Sequence, residues 1–116
     1  MKTIIKPLVL IAVAAASDGA KLVYASAEDL QTYSLTLKNH RFAPTEIHVP
    51  NGKPFFVSVK NLDDTADEFE MHSPPVDKVI PPGEEAKVRI RPLAVGRFNF
   101  KGDFHSDTAQ GVIISE

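Results

Sequence analysis

The chain has 116 residues, of which 43% are hydrophobic and 24% charged, and a formal net charge of −2; this is enough for one globular domain and gives no basic field for nucleic acid or anionic lipid. Cysteine is absent, which excludes disulfide frameworks, zinc–thiolate sites, iron–sulfur clusters and thiol nucleophiles and leaves chemistry to His, carboxylate, Met or backbone. Nine prolines are more than a helical bundle tolerates and favour an all-β reading.

At the N-terminus, Lys2 and Lys6 precede an apolar run from Leu8 to Ala16, about half the roughly 20 residues that span a bilayer. The run reads as the core of a signal peptide. Ala25-Ser26-Ala27 supplies the small residues that a signal peptidase needs before its cut, with Ala14-Ala15-Ala16 as the other candidate. Cleavage is expected after Ala27, so that residues 1–27 are an export signal and residues 28–116 the domain. The mature chain then carries 10 basic and 14 acidic residues and no cysteine for a lipid anchor. It is expected in the periplasm, with no segment inserted in the membrane after cleavage.

From residue 32 onward apolar residues alternate with polar ones, the period of half-buried strands. Tyr33, Leu35 and Leu37 open the series. Ile47 and Val49, then Phe55, Val57 and Val59, then Val88 and Ile90, then Phe98 and Phe100, then Val112 and Ile114 continue it. Breakers separate the runs at Pro44, Pro50-Asn51-Gly52, Pro74-Pro75, Pro81-Pro82-Gly83, Pro92 and Gly96. The pattern predicts a β-sandwich of seven or eight short strands.

Two stretches carry a family resemblance. Asn39 to Gly52 (NHRFAPTEIHVPNG), with Gly96-Arg97-Phe98-Asn99-Phe100, Gly102-Asp103-Phe104-His105 and Gly111-Val112-Ile113-Ile114, resembles the opening, ligand loop and last strand of a cupredoxin. The resemblance implies a cupredoxin-like Greek-key sandwich. Blue-copper members carry Cys, His and Met in this loop. Here Gly102 stands where Cys would, His105 is retained, and Asp107 to Gln110 contains no Met. The place of the first His ligand falls to Asp67 or Glu68. A type 1 centre, which needs the thiolate, is therefore excluded.

Glu68-Phe69-Glu70, Val79-Ile80-Pro81-Pro82-Gly83 and Gly102-Asp103-Phe104-His105 resemble, more narrowly, the cupredoxin-like periplasmic proteins of bacterial iron-uptake operons. That resemblance implies binding of copper or iron and help in oxidising or delivering ferrous iron. The partners it implies are a periplasmic iron-binding protein, a high-affinity iron permease and a membrane ferredoxin-type protein. The rival reading is a module that only docks or holds a cation, with no redox role. Imidazole and carboxylate donors favour Cu(II), iron or zinc over Cu(I).

The residues expected at the metal are His105, Asp103, Glu68, Asp67, Glu46, Met71 and His72. His105 lies in the loop before the last strand, and Asp103 reaches the same side if that loop is extended. Asp63, Asp64, Asp67, Glu68 and Glu70 place five carboxylates in eight residues, a concentration that repels itself without cations nearby. Alternation puts Asp67, Phe69 and Met71 on one strand face and Glu68, Glu70 and His72 on the other. If Phe69 faces the core, Glu68 faces out unless a bulge re-aims it; the family motif favours Glu68 and so predicts a bulge. Met71 is a soft donor or core filler, and His72 sits at a loop mouth. Glu46 and His48, two apart on one strand face, can clamp a metal or simply decorate a solvent face. His40 has no carboxylate neighbour in sequence and reads as surface. No phosphate-binding loop, nucleophile elbow or His-Glu-x-x-His pair is present.

Overall fold

The computed structural model describes residues 8–12, 22–26 and 29–116. The expected cleavage point at Ala27 lies outside the described residues, as does most of the export signal. Leu8–Ala12 (β1) and Leu22–Ser26 (β2) pair antiparallel, with Leu8 opposite Ser26. They belong to a unit, Met1–Leu30, distinct from the larger unit Gln31–Glu116.

The larger unit is all β. Its strands are β3 (Thr32–Lys38), β4 (Arg41–Ala43), β5 (Glu46–Val49), β6 (Phe55–Asn61), β7 (Asp67–Met71), β8 (Val76–Ile80), β9 (Glu85–Ile90), β10 (Gly96–Gly102) and β11 (Gln110–Ser115). A single 3-10 turn, Asp103–His105, joins β10 towards β11. Nine strands exceed the seven or eight expected because β4 has three residues, too few for alternation to reveal it. One sheet runs β5-β11-β10-β7-β8 and the other β4-β3-β6-β9. The pairs β5–β11 and β3–β6 are parallel and the rest antiparallel. Strands adjacent in a sheet but distant in sequence make this a Greek-key sandwich.

Alternation decides what fills the space between the sheets. Leu35, Leu37, Val57, Val59, Phe69, Met71, Phe100 and Ile113 all point inward and are buried. Phe42, Phe69 and Phe100 form an aromatic knot, with ring centroids 5.1 to 6.2 Å apart; each such pair contributes about 0.5–1.5 kcal/mol beyond its burial. The knot lies just below the end of the sandwich where β7 leaves the acidic loop and β10 enters its 3-10 turn. β7 carries no bulge. Its pairing with β8 runs unbroken from Asp67 opposite Ile80 to Met71 opposite Val76, so Asp67 turns inward while Glu68 and Glu70 face out.

Candidate metal centre

The site begins with Asn61, the last residue of β6, fully buried. Its Nδ2 donates to the carbonyl oxygens of Thr65 and Ile80, and its Oδ1 accepts the amide of Asp63. A buried amide must satisfy these groups or lose about 1–3 kcal/mol, so the acidic loop after it is held in one shape. That shape aims Asp63 at the tight turn between β3 and β4. Asn39 and His40 fill this two-residue turn with φ of 53° and 56°, the left-handed pair required by a type I′ hairpin. Asparagine takes this conformation readily, histidine less so. The Asp63 carboxylate offsets the strain by accepting both amides, Asn39 N at 2.6 Å and His40 N at 2.9 Å. Burial pushes the Asp63 carboxyl up, but those two amides, aided by the imidazoles of His40 and His105, hold it below its ordinary value.

The His40 ring set up by this turn stacks on His105, with centroids 3.7 Å apart and planes 14° from parallel. His105 Nδ1 in turn lies 2.9 Å from Asp67 Oδ2. Asp67 is 1% exposed; its Oδ1 accepts the amides of Glu68 at 2.8 Å and Phe104 at 3.1 Å. Each face of this imidazole–carboxylate arrangement is therefore supplied by a different loop.

Asp67, Gly102, His105 and Ala109 converge where the resemblance expects a type 1 ligand set. A β-carbon on Gly102 would meet Asp67 Oδ2 at 2.6 Å and the Ala109 β-carbon at 2.8 Å. Gly102 N also donates to Ala109 O at 2.9 Å. A blue-copper ion does not fit these residues. They offer no sulfur, the Asp67 carboxylate fills the room that a side chain at 102 would take, and His105 Nδ1 is already turned to Asp67.

A second cluster lies on the outer face of the sheet. Glu68, Glu70 and Asp103 bring one oxygen each to within 4.8 Å of one another. Partial burial and the neighbouring carboxylates of Asp77, Asp103, Glu70 and Asp67 raise the Glu68 carboxyl above its ordinary value. Lys101 Nζ lies 3.4 Å from Asp103 Oδ1 and 3.7 Å from Glu70 Oε1. Three carboxylate oxygens are a donor set for a hard divalent cation.

The structure thus divides the expected ligand set. Asp103 and His105 do not share a side, because the loop forms a 3-10 turn instead of staying extended; Asp103 joins Glu68 and Glu70, and His105 joins Asp67. Met71 is buried in the core opposite Phe100 and Val76, away from both clusters, because it has the inward parity of Phe69. His72 is exposed just past β7, beside Glu70 and Lys101 at a shallow depression. Glu46 is elsewhere on the sheet: its Oε2 lies 2.9 Å from His48 Nε2, whose Nδ1 is 2.7 Å from Glu116 Oε1. Both His48 nitrogens are taken by carboxylates. His40, read as surface, is 41% exposed and stacks on His105. Its partner Asp63 is 23 residues away, so only the two-residue turn between Lys38 and Arg41 signalled it.

Residues 7–115 match the profile of the cupredoxin-like domain. The chain belongs to the cupredoxin-like domain family. An uncharacterised protein of Rickettsia prowazekii (strain Madrid E) is 37% identical over 87 residues, 75% of this chain and 70% of that protein. Among solved structures, the cupredoxin fold here is similar to the metal-binding domain of the Cu(I)-exporting P-type ATPase CopA of Streptococcus pneumoniae, with a TM-score of 0.68, 19% identity and coverage of 79% of this chain and 92% of that one. It is also similar to auracyanin A, a blue copper protein of Chloroflexus aurantiacus, with a TM-score of 0.64, 15% identity and coverage of 76% and 100%. At these identities the likeness is one of fold.

Proposed function

We propose that this cupredoxin-like protein is exported to the periplasm, where it binds a metal cation, iron or copper, in the service of ferrous iron uptake. The observation that carries the reading is the meeting of Glu68, Glu70 and Asp103 on one face. Burial first, and then the neighbouring carboxylates, raise the Glu68 carboxyl, and a metal cation would relieve the repulsion that Lys101, ion-paired with Glu70 and Asp103, leaves at Glu68. Hard oxygen donors suit ferrous and ferric iron, and an ion held on an open sheet face is accessible for transfer to a partner. The partners proposed, on the sequence resemblance, are a periplasmic iron-binding protein and a membrane iron permease.

The test is an anaerobic Fe(II) titration of the protein, followed by calorimetry, with Mn(II) as a redox-silent control. One equivalent is expected to bind, and Glu68→Gln together with Glu70→Gln is expected to abolish it. Protons compete for Glu68, so affinity should weaken as the pH falls towards the raised Glu68 value. Lys101→Ala removes a competing cation and should tighten binding by about two- to fivefold, the range of an exposed ion pair. Undiminished Fe(II) binding by the double variant would overturn the assignment.

A further inference from the structure

We propose that the depression beside Glu70 binds a small α-hydroxy carboxylate, which completes the coordination of a cation held by Glu68, Glu70 and Asp103, a reading that rests on the cation site proposed above. The depression has a volume of about 440 Å³, within the usual range of small-molecule sites. Its walls are the polar side chains of Glu70, His72, Asn99, Lys101 and Gln110, which suit a hydrophilic acid better than an apolar ligand. Phe100 is buried, and a β-carbon on Gly111 would run into its ring. Both therefore face the core, and only their main chain closes the floor.

Strand register joins this depression to the carboxylate cluster. Lys101 on β10 stands opposite Glu70 on one side and Gln110 on the other, so the three form one row across the outer face. Lys101 Nζ lies 3.4 Å from Asp103 Oδ1 and 3.7 Å from Glu70 Oε1, which makes it common to both features. Gln110 donates Nε2 to Ser106 O at 2.7 Å, tying that wall to the turn that carries Asp103. Among the described residues, no hydrogen bond or ion pair engages the side chain of His72 or Asn99.

The cluster supplies three carboxylate oxygens, about half of the roughly six that a hard divalent cation takes. The remaining donors must come from outside it. Glu70 is the member of the cluster that also borders the depression, so a ligand lying there is next to the cation. The carboxylate and hydroxyl oxygens of an α-hydroxy acid can chelate the metal, and a second carboxylate can accept from the Lys101 ammonium and the Asn99 amide. Without a cation, Lys101 is held by Glu70 and Asp103, and Glu70 repels an anion. A cation on those two carboxylates releases the ammonium to the acid. Metal and acid therefore bind cooperatively, each raising the affinity for the other by the same factor.

The test is a calorimetric titration of the full protein with Mn(II), which is redox-silent, with and without L-malate. Malate in solution competes for Mn(II), so an acid that does not join the site lowers the apparent affinity. The ternary site should raise it by about fivefold or more, the lower end of ordinary coupling between two ligands. Malate should not bind the metal-free protein, and it should reduce the water-proton relaxivity of bound Mn(II) by displacing coordinated water. Lys101→Ala should tighten binding of Mn(II) alone, as for Fe(II), yet lose the gain from malate. An affinity that malate weakens or leaves unchanged overturns the co-ligand while the cation site stands. A gain from malate that survives in Lys101→Ala overturns it too, and Mn(II) that fails to bind in either condition overturns both assignments.

Discussion

A β-carbon at position 102 would lie 2.6 Å from Asp67 Oδ2, closer than real contacts allow, so glycine there and aspartate at 67 are choices that depend on each other. Gly102→Ala is expected to destabilise the fold by about 1–3 kcal/mol in urea denaturation. Asp67→Ala leaves two amides and the His105 Nδ1 without their acceptor and should cost a similar amount. The double variant should cost clearly less than the sum, since the first steric conflict vanishes with the carboxylate; simple additivity would show that the two residues do not share this space. The missing thiolate was legible in the sequence, from the absence of cysteine alone. What fills its place was not, because a carboxylate 35 residues earlier does so.

On the outer face of the sheet, β5 and β11 run parallel with Glu46 opposite Val112 and His48 opposite Ile114. His48 lies between two carboxylates there. Hydrogen bonds that its ring donates to Glu46 first and to Glu116 second raise its pKa above 6.5, outweighing the opposing effect of burial. A folded-state pKa above the unfolded one favours the folded protein fully below about 6.5, and this contribution is lost as pH rises through the folded value. The melting temperature should therefore carry a downward component as the pH rises above about 6.5 that His48→Gln removes. An identical pH profile in the variant would mean that the clasp contributes nothing. Alternation made the Glu46–His48 pair visible in sequence, but only strand order shows that its third member is Glu116 and that the pair is remote from the metal centre. β7 teaches the same lesson. Its parity was readable, and the bulge expected from the family motif is absent: the pairing with β8 is unbroken, which leaves Glu68 on the outer face.

At the scale of the molecule, stability rests on the inward stripes and the Phe42–Phe69–Phe100 knot that supports the site end. Phe69→Ala should cost about 3–5 kcal/mol and lower Fe(II) affinity too, since Phe69 sits between Glu68 and Glu70 on β7. Export should yield a mature chain beginning at Glu28, checked by mass spectrometry of the periplasmic fraction; a retained N-terminus would remove the proposed address. The sequence by itself determined the all-β class, the sandwich, most inward residues and the exclusion of thiolate copper, because period-2 alternation and the absence of cysteine are local or compositional properties; in the last strand, where Val112, Ile113 and Ile114 are all apolar, alternation picked Val112 and Ile114 while Ile113 and Ser115 are the buried ones. Only the tertiary structure decided which candidates meet. Asp63 reaches His40, Asp67 reaches His105, and Asp103 reaches Glu68 and Glu70 through strand order and one 3-10 turn, and contacts made across 23 to 38 residues leave no periodic trace along the chain.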